Sequence, residues 1–133
     1  MKKILIVDDQ VEIRDLVAIT LRIGAYHFLL ASDGAEAIAV AQREKPDLIL
    51  LDVMMPESSM DGFEVCRRLK SHPETRGCYV MMLTARGQER DIEQGFAAGA
   101  DDYFVKPFSP LELMVRVDRV LAENDTRSDP LPG

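Results

Sequence analysis

No apolar run in this chain approaches the ~20 residues needed to cross a bilayer, so no membrane partner is expected. The start, Met1-Lys2-Lys3, leads into an apolar stretch too short for a secretory signal, and a cytoplasmic location is the expectation. Cysteine is scarce. Cys66 and Cys78 have no metal-ligand spacing and read as reduced thiols. Cys66 falls in an apolar helical stripe and Cys78 sits beside Gly77 in a loop before a strand, so neither is assigned chemistry. Positive charge is in deficit, with 16 Lys and Arg against 23 Asp and Glu, a net charge of -7 and a pI near 4.8. Direct binding to nucleic acid or anionic lipid is therefore disfavoured. Internal repeats and low-complexity blocks are absent too. What remains is 133 residues, 47% of them apolar, enough for one domain around one core.

Short β-rich runs alternate with longer helical ones, the pattern of βαβ units on a parallel sheet. Val11, Leu16, Ile19 and Ile23 predict a first helix closed by a Gly24 C-cap. A strand follows over His27 to Ala31. Ser32 or Asp33 then caps a helix from Ala35 to about Lys45, which Pro46 ends. Further helices are predicted from Gly62 to about Ser71, with Phe63, Val65, Cys66 and Leu69 inward, and over Arg90 to Ala98. The last runs from Ser109-Pro110 to about Glu123, with Leu113, Val117, Val120 and Leu121 on its apolar side. Right-handed crossovers and short loops leave a doubly wound α/β sheet with helices on both faces.

The strand ends carry the chemistry. Ile4-Leu5-Ile6-Val7 stops at Asp8-Asp9, and Leu48-Ile49-Leu50-Leu51 stops at Asp52. Tyr79 to Leu83 stops at Thr84, and Tyr103-Phe104-Val105 stops at Lys106-Pro107. In an open parallel sheet the carboxyl ends of the strands line one crevice, where such folds bind ligands. Asp8, Asp9, Asp52, Thr84 and Lys106 would then share it, a set suited to a hard divalent cation and a phosphoryl group. Each residue alone has an ordinary reading: an acidic turn, a capping threonine, a solvated lysine. Three clustered carboxylates without a cation repel one another, so a purely structural origin for the whole set is disfavoured. Pro107 restricts Lys106 to extended backbone and permits a cis bond that would fix where the ammonium points.

With these motifs in view, the chain resembles the receiver domains of two-component response regulators from Lys2 to about Ala122. The matching segments are Ile-Leu-Ile-Val-Asp-Asp at 4–9, Leu-Ile-Leu-Leu-Asp-Val-Met-Met-Pro at 48–56, and Met-Asp-Gly-Phe-Glu-Val at 60–65. Leu-Thr-Ala-Arg at 83–86, Gly-Ala-Asp-Asp-Tyr at 99–103 and Lys-Pro-Phe at 106–108 complete them. The resemblance implies a flavodoxin-like five-stranded sheet of order 2-1-3-4-5. It implies that Asp52 is the phosphoacceptor, taking a phosphoryl group from a histidine kinase or a phosphotransfer protein. It implies Mg²⁺ held by Asp9, Asp52 and the Met54 backbone carbonyl, with Asp8 acting through a water. Thr84 and Lys106 would bind phosphoryl oxygens, and Tyr103 would be the switch aromatic that follows Thr84 inward. Such a domain is a signalling phosphoacceptor that catalyses only its own phosphorylation and dephosphorylation.

Two departures stand out. The loop after the phosphoacceptor strand reads Pro56-Glu57-Ser58-Ser59-Met60-Asp61-Gly62, two residues longer than the common family form. On the face where DNA-binding relatives pair through the fourth helix, fifth strand and fifth helix, Asp101, Asp102, Glu112 and Arg116 stand at matching places. Ile92, however, replaces a basic residue there and is expected to be exposed, which implies at most a weak homodimer on phosphorylation. Residues 1–122 are read as the domain, and 123–133 as a flexible tail or the start of a linker. Two rivals are a phosphorylation-independent interaction module and an aspartate-nucleophile phosphatase. The phosphatase would need an acid two residues after the nucleophile, where Met54 stands.

Overall fold

Five strands and five helices alternate along the chain in a computed structural model that describes residues 2–55, 60–85, 89–106 and 109–128. The strands are β1 (Lys2–Val7), β2 (Tyr26–Ala31), β3 (Leu48–Asp52), β4 (Tyr79–Ala85) and β5 (Asp102–Lys106). The helices are α1 (Val11–Thr20), α2 (Gly34–Glu44), α3 (Gly62–Ser71), α4 (Glu89–Ala97) and α5 (Pro110–Ser128). All strand pairs are parallel and the order is β2-β1-β3-β4-β5, as expected.

Strand side chains point alternately to opposite faces, and that alternation divides the core in two. Leu5, Val7, Ile49, Leu51, Val80 and Met82 face α2, α3 and the end of α4, where they meet Val40, Val65, Cys66 and Leu69. Ile4, Ile6, Leu48, Leu50, Met81 and Leu83 face α1 and α5, meeting Val17, Leu21, Leu113 and Val117. Every residue of β3 is buried, which is why Leu48 to Leu51 read as one unbroken apolar run. Burying each such side chain contributes about 1.5–3 kcal/mol, offset by the entropy of ordering the chain.

The Asp33 cap lies where the sequence puts it, and Asp61, not singled out there, caps α3. Asp33 accepts from the Glu36 N–H at 2.8 Å and Asp61 from the Glu64 N–H at 2.9 Å. Lys45 closes α2 in the left-handed conformation, φ 49°. Two expectations are corrected. Val11, Leu16 and Ile19 are exposed, and α1 instead turns Val17 inward with Ile13 beside it, continuing to Leu21 in the 3-10 turn Leu21–Ile23. Positions 13, 17 and 21 repeat every four residues, closer to the helical period than 11, 16 and 19. Gly24 closes the helical segment as expected, its N–H donating to the Leu21 carbonyl at 3.1 Å, with extended backbone at φ -77° and ψ 156°. Finally, α5 runs to Ser128, past the expected end near Glu123 and into the segment read as a tail.

At the amino end of the sheet, the Lys70 ammonium donates to the Arg76 carbonyl at 3.2 Å, the Cys78 carbonyl at 2.7 Å and Asp101 Oδ2 at 2.7 Å. Asp101 Oδ2 also accepts from the Val80 N–H. One ion pair therefore joins α3 to the entries of β4 and β5. An open groove of about 450 Å³ lies here among Lys2, Asp47, Lys70 and Arg76. The residues singled out at the strand ends line none of it.

Candidate functional site at the carboxyl end of the sheet

Strand register brings the predicted residues together. Val7 of β1 lies opposite Leu51 of β3, so Asp8 and Asp52 occupy corresponding positions one step beyond. Asp52 lies opposite Leu83 and Thr84 opposite Val105, which sets Thr84 and Lys106 at the same edge. Asp8, Asp9 and Asp52 each offer a carboxylate oxygen within 4.8 Å of the others. Lys106 Nζ sits 3.2 Å from Asp8 Oδ2 and 3.2 Å from Asp52 Oδ1, bridging the two.

The site is mostly out of water. Asp8 has no exposed surface and Thr84 only 1%. Asp9 and Lys106 are half-buried and complete the rim. Burial pushes the Asp52 carboxyl up to about 6 from an ordinary 3.8, and the negative charge of Asp8 adds to that. The Lys106 charge and the Met54 N–H, which donates to Asp52 Oδ1 at 3.3 Å, act the other way and do not cancel the burial. The Thr84 hydroxyl is buried with no hydrogen-bond partner among the described residues. A buried hydroxyl without a partner lowers stability, and here it stands beside an acid cluster and an ammonium. Such a donor is available to an incoming oxygen anion.

The acid set also fits a cation. Magnesium favours oxygen ligands in octahedral array and keeps several waters, so a few converging carboxylate oxygens suffice. The Met54 side chain is exposed, leaving its backbone as the part that faces the site residues. Tyr103 is half-buried and stands edge-on to Phe96, ring centroids 5.9 Å apart. Pro107, with the suggested cis bond, and Glu57-Ser58-Ser59 lie outside the described residues.

Two residues of the site were not singled out from the sequence. A Cβ on Gly62 would stand 2.4 Å from the Asp52 carbonyl oxygen and 2.8 Å from the Val53 Cα, so only glycine lets α3 start against the end of β3. Its position in Met60-Asp61-Gly62 was legible but its close approach was not. Arg14 donates from Nη1 to the Asp8 carbonyl at 2.8 Å. Its signal was a lone cation on the otherwise apolar or acidic first turns of α1.

Comparison with known proteins agrees with this geometry. Residues 4–118 match the family described as the response regulator receiver domain. The DNA-binding dual master transcriptional regulator RpaA of Synechocystis sp. is 46% identical over 125 residues, 94% of this chain and 51% of that protein. The phosphate regulon transcriptional regulatory protein PhoB of Pseudomonas aeruginosa is 48% identical over 120 residues, 90% of this chain and 52% of that protein. The chain thus spans about half the length of the curated relatives it matches. Among solved structures, the chemotaxis response regulator CheY4 of Vibrio cholerae superposes with a TM-score of 0.82 at 38% identity, covering 90% of this chain and 98% of that one. The receiver domain of NtrX from Brucella abortus does so with a TM-score of 0.80 at 33% identity, again covering 90% and 98%.

Proposed function

Because this chain belongs to the response regulator receiver domain family, we propose that Asp52 accepts a phosphoryl group from a phosphohistidine on a sensor histidine kinase or phosphotransfer protein. The observation that carries this reading is the Lys106 ammonium bridging Asp8 and Asp52 beside the unpartnered Thr84 hydroxyl. An Asp52 oxygen bonds to phosphorus as the phosphorus–nitrogen bond breaks. The electron pair leaves with the imidazole, which takes up a proton. Lys106 turns from carboxylate to phosphoryl oxygen, and Thr84 donates to another. Asp8, Asp9, Asp52 and the Met54 carbonyl are the groups that would hold Mg²⁺, which when bound supplies positive charge against the transferring phosphoryl group. The chain catalyses no reaction beyond its own phosphorylation and dephosphorylation. Tyr103 carries the change outward as Thr84 moves.

Incubation with acetyl phosphate and Mg²⁺ followed by intact mass measurement tests this. The wild-type chain is expected to gain about 80 Da, the mass of one phosphoryl group, and Asp52→Asn is expected to gain nothing. An unmodified wild type would favour the phosphorylation-independent interaction module. Steady phosphate release without an adduct would favour the phosphatase.

We further propose that the phosphorylated form pairs at most weakly through α4, β5 and α5. Asp102 and Arg116 are already engaged with each other at 3.2 Å, and Asp101 with Lys70 at 2.7 Å. Ile92, expected to be exposed, is half-buried beside Phe96 and Tyr103 and offers little free apolar surface. Surface ion pairs contribute only ~0–1 kcal/mol each, too little to force association. The domain is read as residues 1–122, with any effector function supplied elsewhere in a longer protein. Sedimentation at tens of micromolar (about the range where weak dimers show) is expected to give a monomer without phosphate and a partial dimer with beryllofluoride. A tight dimer before phosphorylation would refute this use of the face.

A further inference from the structure

Every polar atom of Asp8 is engaged. Its N–H donates to the Ala31 carbonyl at 3.1 Å, and its two carboxylate oxygens accept from the Gln10 N–H at 2.9 Å and from Lys106 at 3.2 Å. Its carbonyl accepts from Arg14 Nη1 at 2.8 Å. The Arg14 backbone N–H in turn donates to the Gln10 carbonyl at 3.2 Å. These bonds close a ring that runs from Asp8 through the Arg14 guanidinium to Gln10 and back to Asp8. Asp9 is the one residue bridged between its two ends.

We propose that Arg14 is a positioning residue for the cation site: by clamping the Asp8 carbonyl to α1, its guanidinium fixes the turn that aims Asp9 at Asp52. The inference rests on the reading of Asp8, Asp9 and Asp52 as the cation-holding acids. Consecutive residues on a strand point to opposite faces, so Asp8 and Asp9 can both serve one crevice only if the backbone between them turns and is held there. Arg14 Nε is buried without a partner among the described residues, an arrangement unfavourable for stability alone. The guanidinium is thus retained for where it sits. It also brings positive charge to the acid turn at the Asp8 carbonyl, while Lys106 meets the Asp8 carboxylate. Partners that orient metal ligands from behind change metal affinity by about 10–100-fold when removed.

The test uses Mn²⁺ as the probe cation, with binding read from the EPR signal of the free ion and folding followed by thermal melting without metal. Arg14→Met is expected to bind Mn²⁺ at least about tenfold more weakly than wild type. Arg14→Lys, which keeps one donor within reach of the Asp8 carbonyl, is expected to fall between the two. A residue that only packs would lower the metal-free melting temperature and leave the Mn²⁺ affinity where it was. Mn²⁺ affinity within twofold of wild type in a folded Arg14→Met chain overturns the proposal. Should Arg14→Met not fold, wild-type affinity in Arg14→Lys overturns it and a severalfold loss supports it. A wild-type chain that binds no Mn²⁺ at all would instead remove the cation site itself, and this inference with it.

Discussion

Replacing Asp52 with asparagine is expected to make the metal-free protein more stable, by up to about 3 kcal/mol above pH 7, while abolishing its covalent modification. The sign follows from the raised affinity of this carboxyl for its proton. In the fold it titrates near 6, whereas an unperturbed aspartate titrates at 3.8. Between those values the folded chain holds a proton that the unfolded chain has lost. Stability from this group is therefore full below pH ~4 and is lost as the pH rises through ~6. Asparagine has no such proton to lose. Urea denaturation in chelator at pH 5 and pH 7.5 should show wild type losing stability relative to Asp52→Asn over that interval. Mg²⁺ should narrow the gap, since a ligand that binds only the native site stabilises by mass action. Parallel pH dependences in the two proteins would mean that Asp52 is not held in a charge-hostile setting.

Gly62→Ala is expected to be the most damaging alanine substitution among the described glycines of the helices. The atoms it would meet, the Asp52 carbonyl oxygen at 2.4 Å and the Val53 Cα at 2.8 Å, are backbone and cannot swing aside. Either α3 withdraws from the sheet or the end of β3 shifts, with a loss of about 2–3 kcal/mol. The bond from the Gly62 N–H to the Val53 carbonyl, 3.1 Å, would be strained with it. Because the shift falls on Asp52, the proposed phosphoacceptor, modification should slow as well. Gly95→Ala is the matched control. There a methyl would stand 3.4 Å from the Met82 side chain and 3.9 Å from the Ala100 Cβ, ordinary contact distances. In the interior of α4 it should add about 0.5–1 kcal/mol. Equal stabilities for the two alanine variants in urea would show that Gly62 does not set the approach of α3.

The sheet and the acids were legible because both depend on local pattern. Unbroken apolar runs ending in Asp8, Asp52, Thr84 and Lys106 give strand ends, and parallel topology does the gathering. The facing of α1 was not legible. With Val11, Ile13, Leu16, Val17 and Ile19 all apolar, the helix has no single stripe, and the sheet selected among them. Gly24 was legible as the stop of the helical segment but its extended backbone was not, since glycine permits either conformation. Its neighbour Tyr26 instead donates from its phenol to the Asp118 carboxylate on α5, a long-range contact that no local pattern announces. The bridging of Asp8 and Asp52 by one ammonium and the solitary Thr84 hydroxyl belong to the same class. Each joins residues far apart in the chain or depends on the absence of a neighbour.

The strand order has a consequence for how the charges of the site come to terms. Three of the four pairings join strands consecutive in the chain, β1 with β2, β3 with β4 and β4 with β5; only β1 with β3 reaches past an intervening strand. Loop closure favours the nearer partners, so β3, β4 and β5 pair among themselves more readily than β1 pairs with β3. Asp52, Thr84 and Lys106 are gathered by strands that follow one another in the chain, whereas Asp8 and Asp9 come to them across an intervening strand. During assembly Asp52 therefore meets the ammonium before it meets the other acids, and the pairing of β1 with β3 completes the cluster around a counter-charge already in place. The same order leaves Lys106 on an edge strand, so the counter-charge of three acids rests on a strand paired on one side alone.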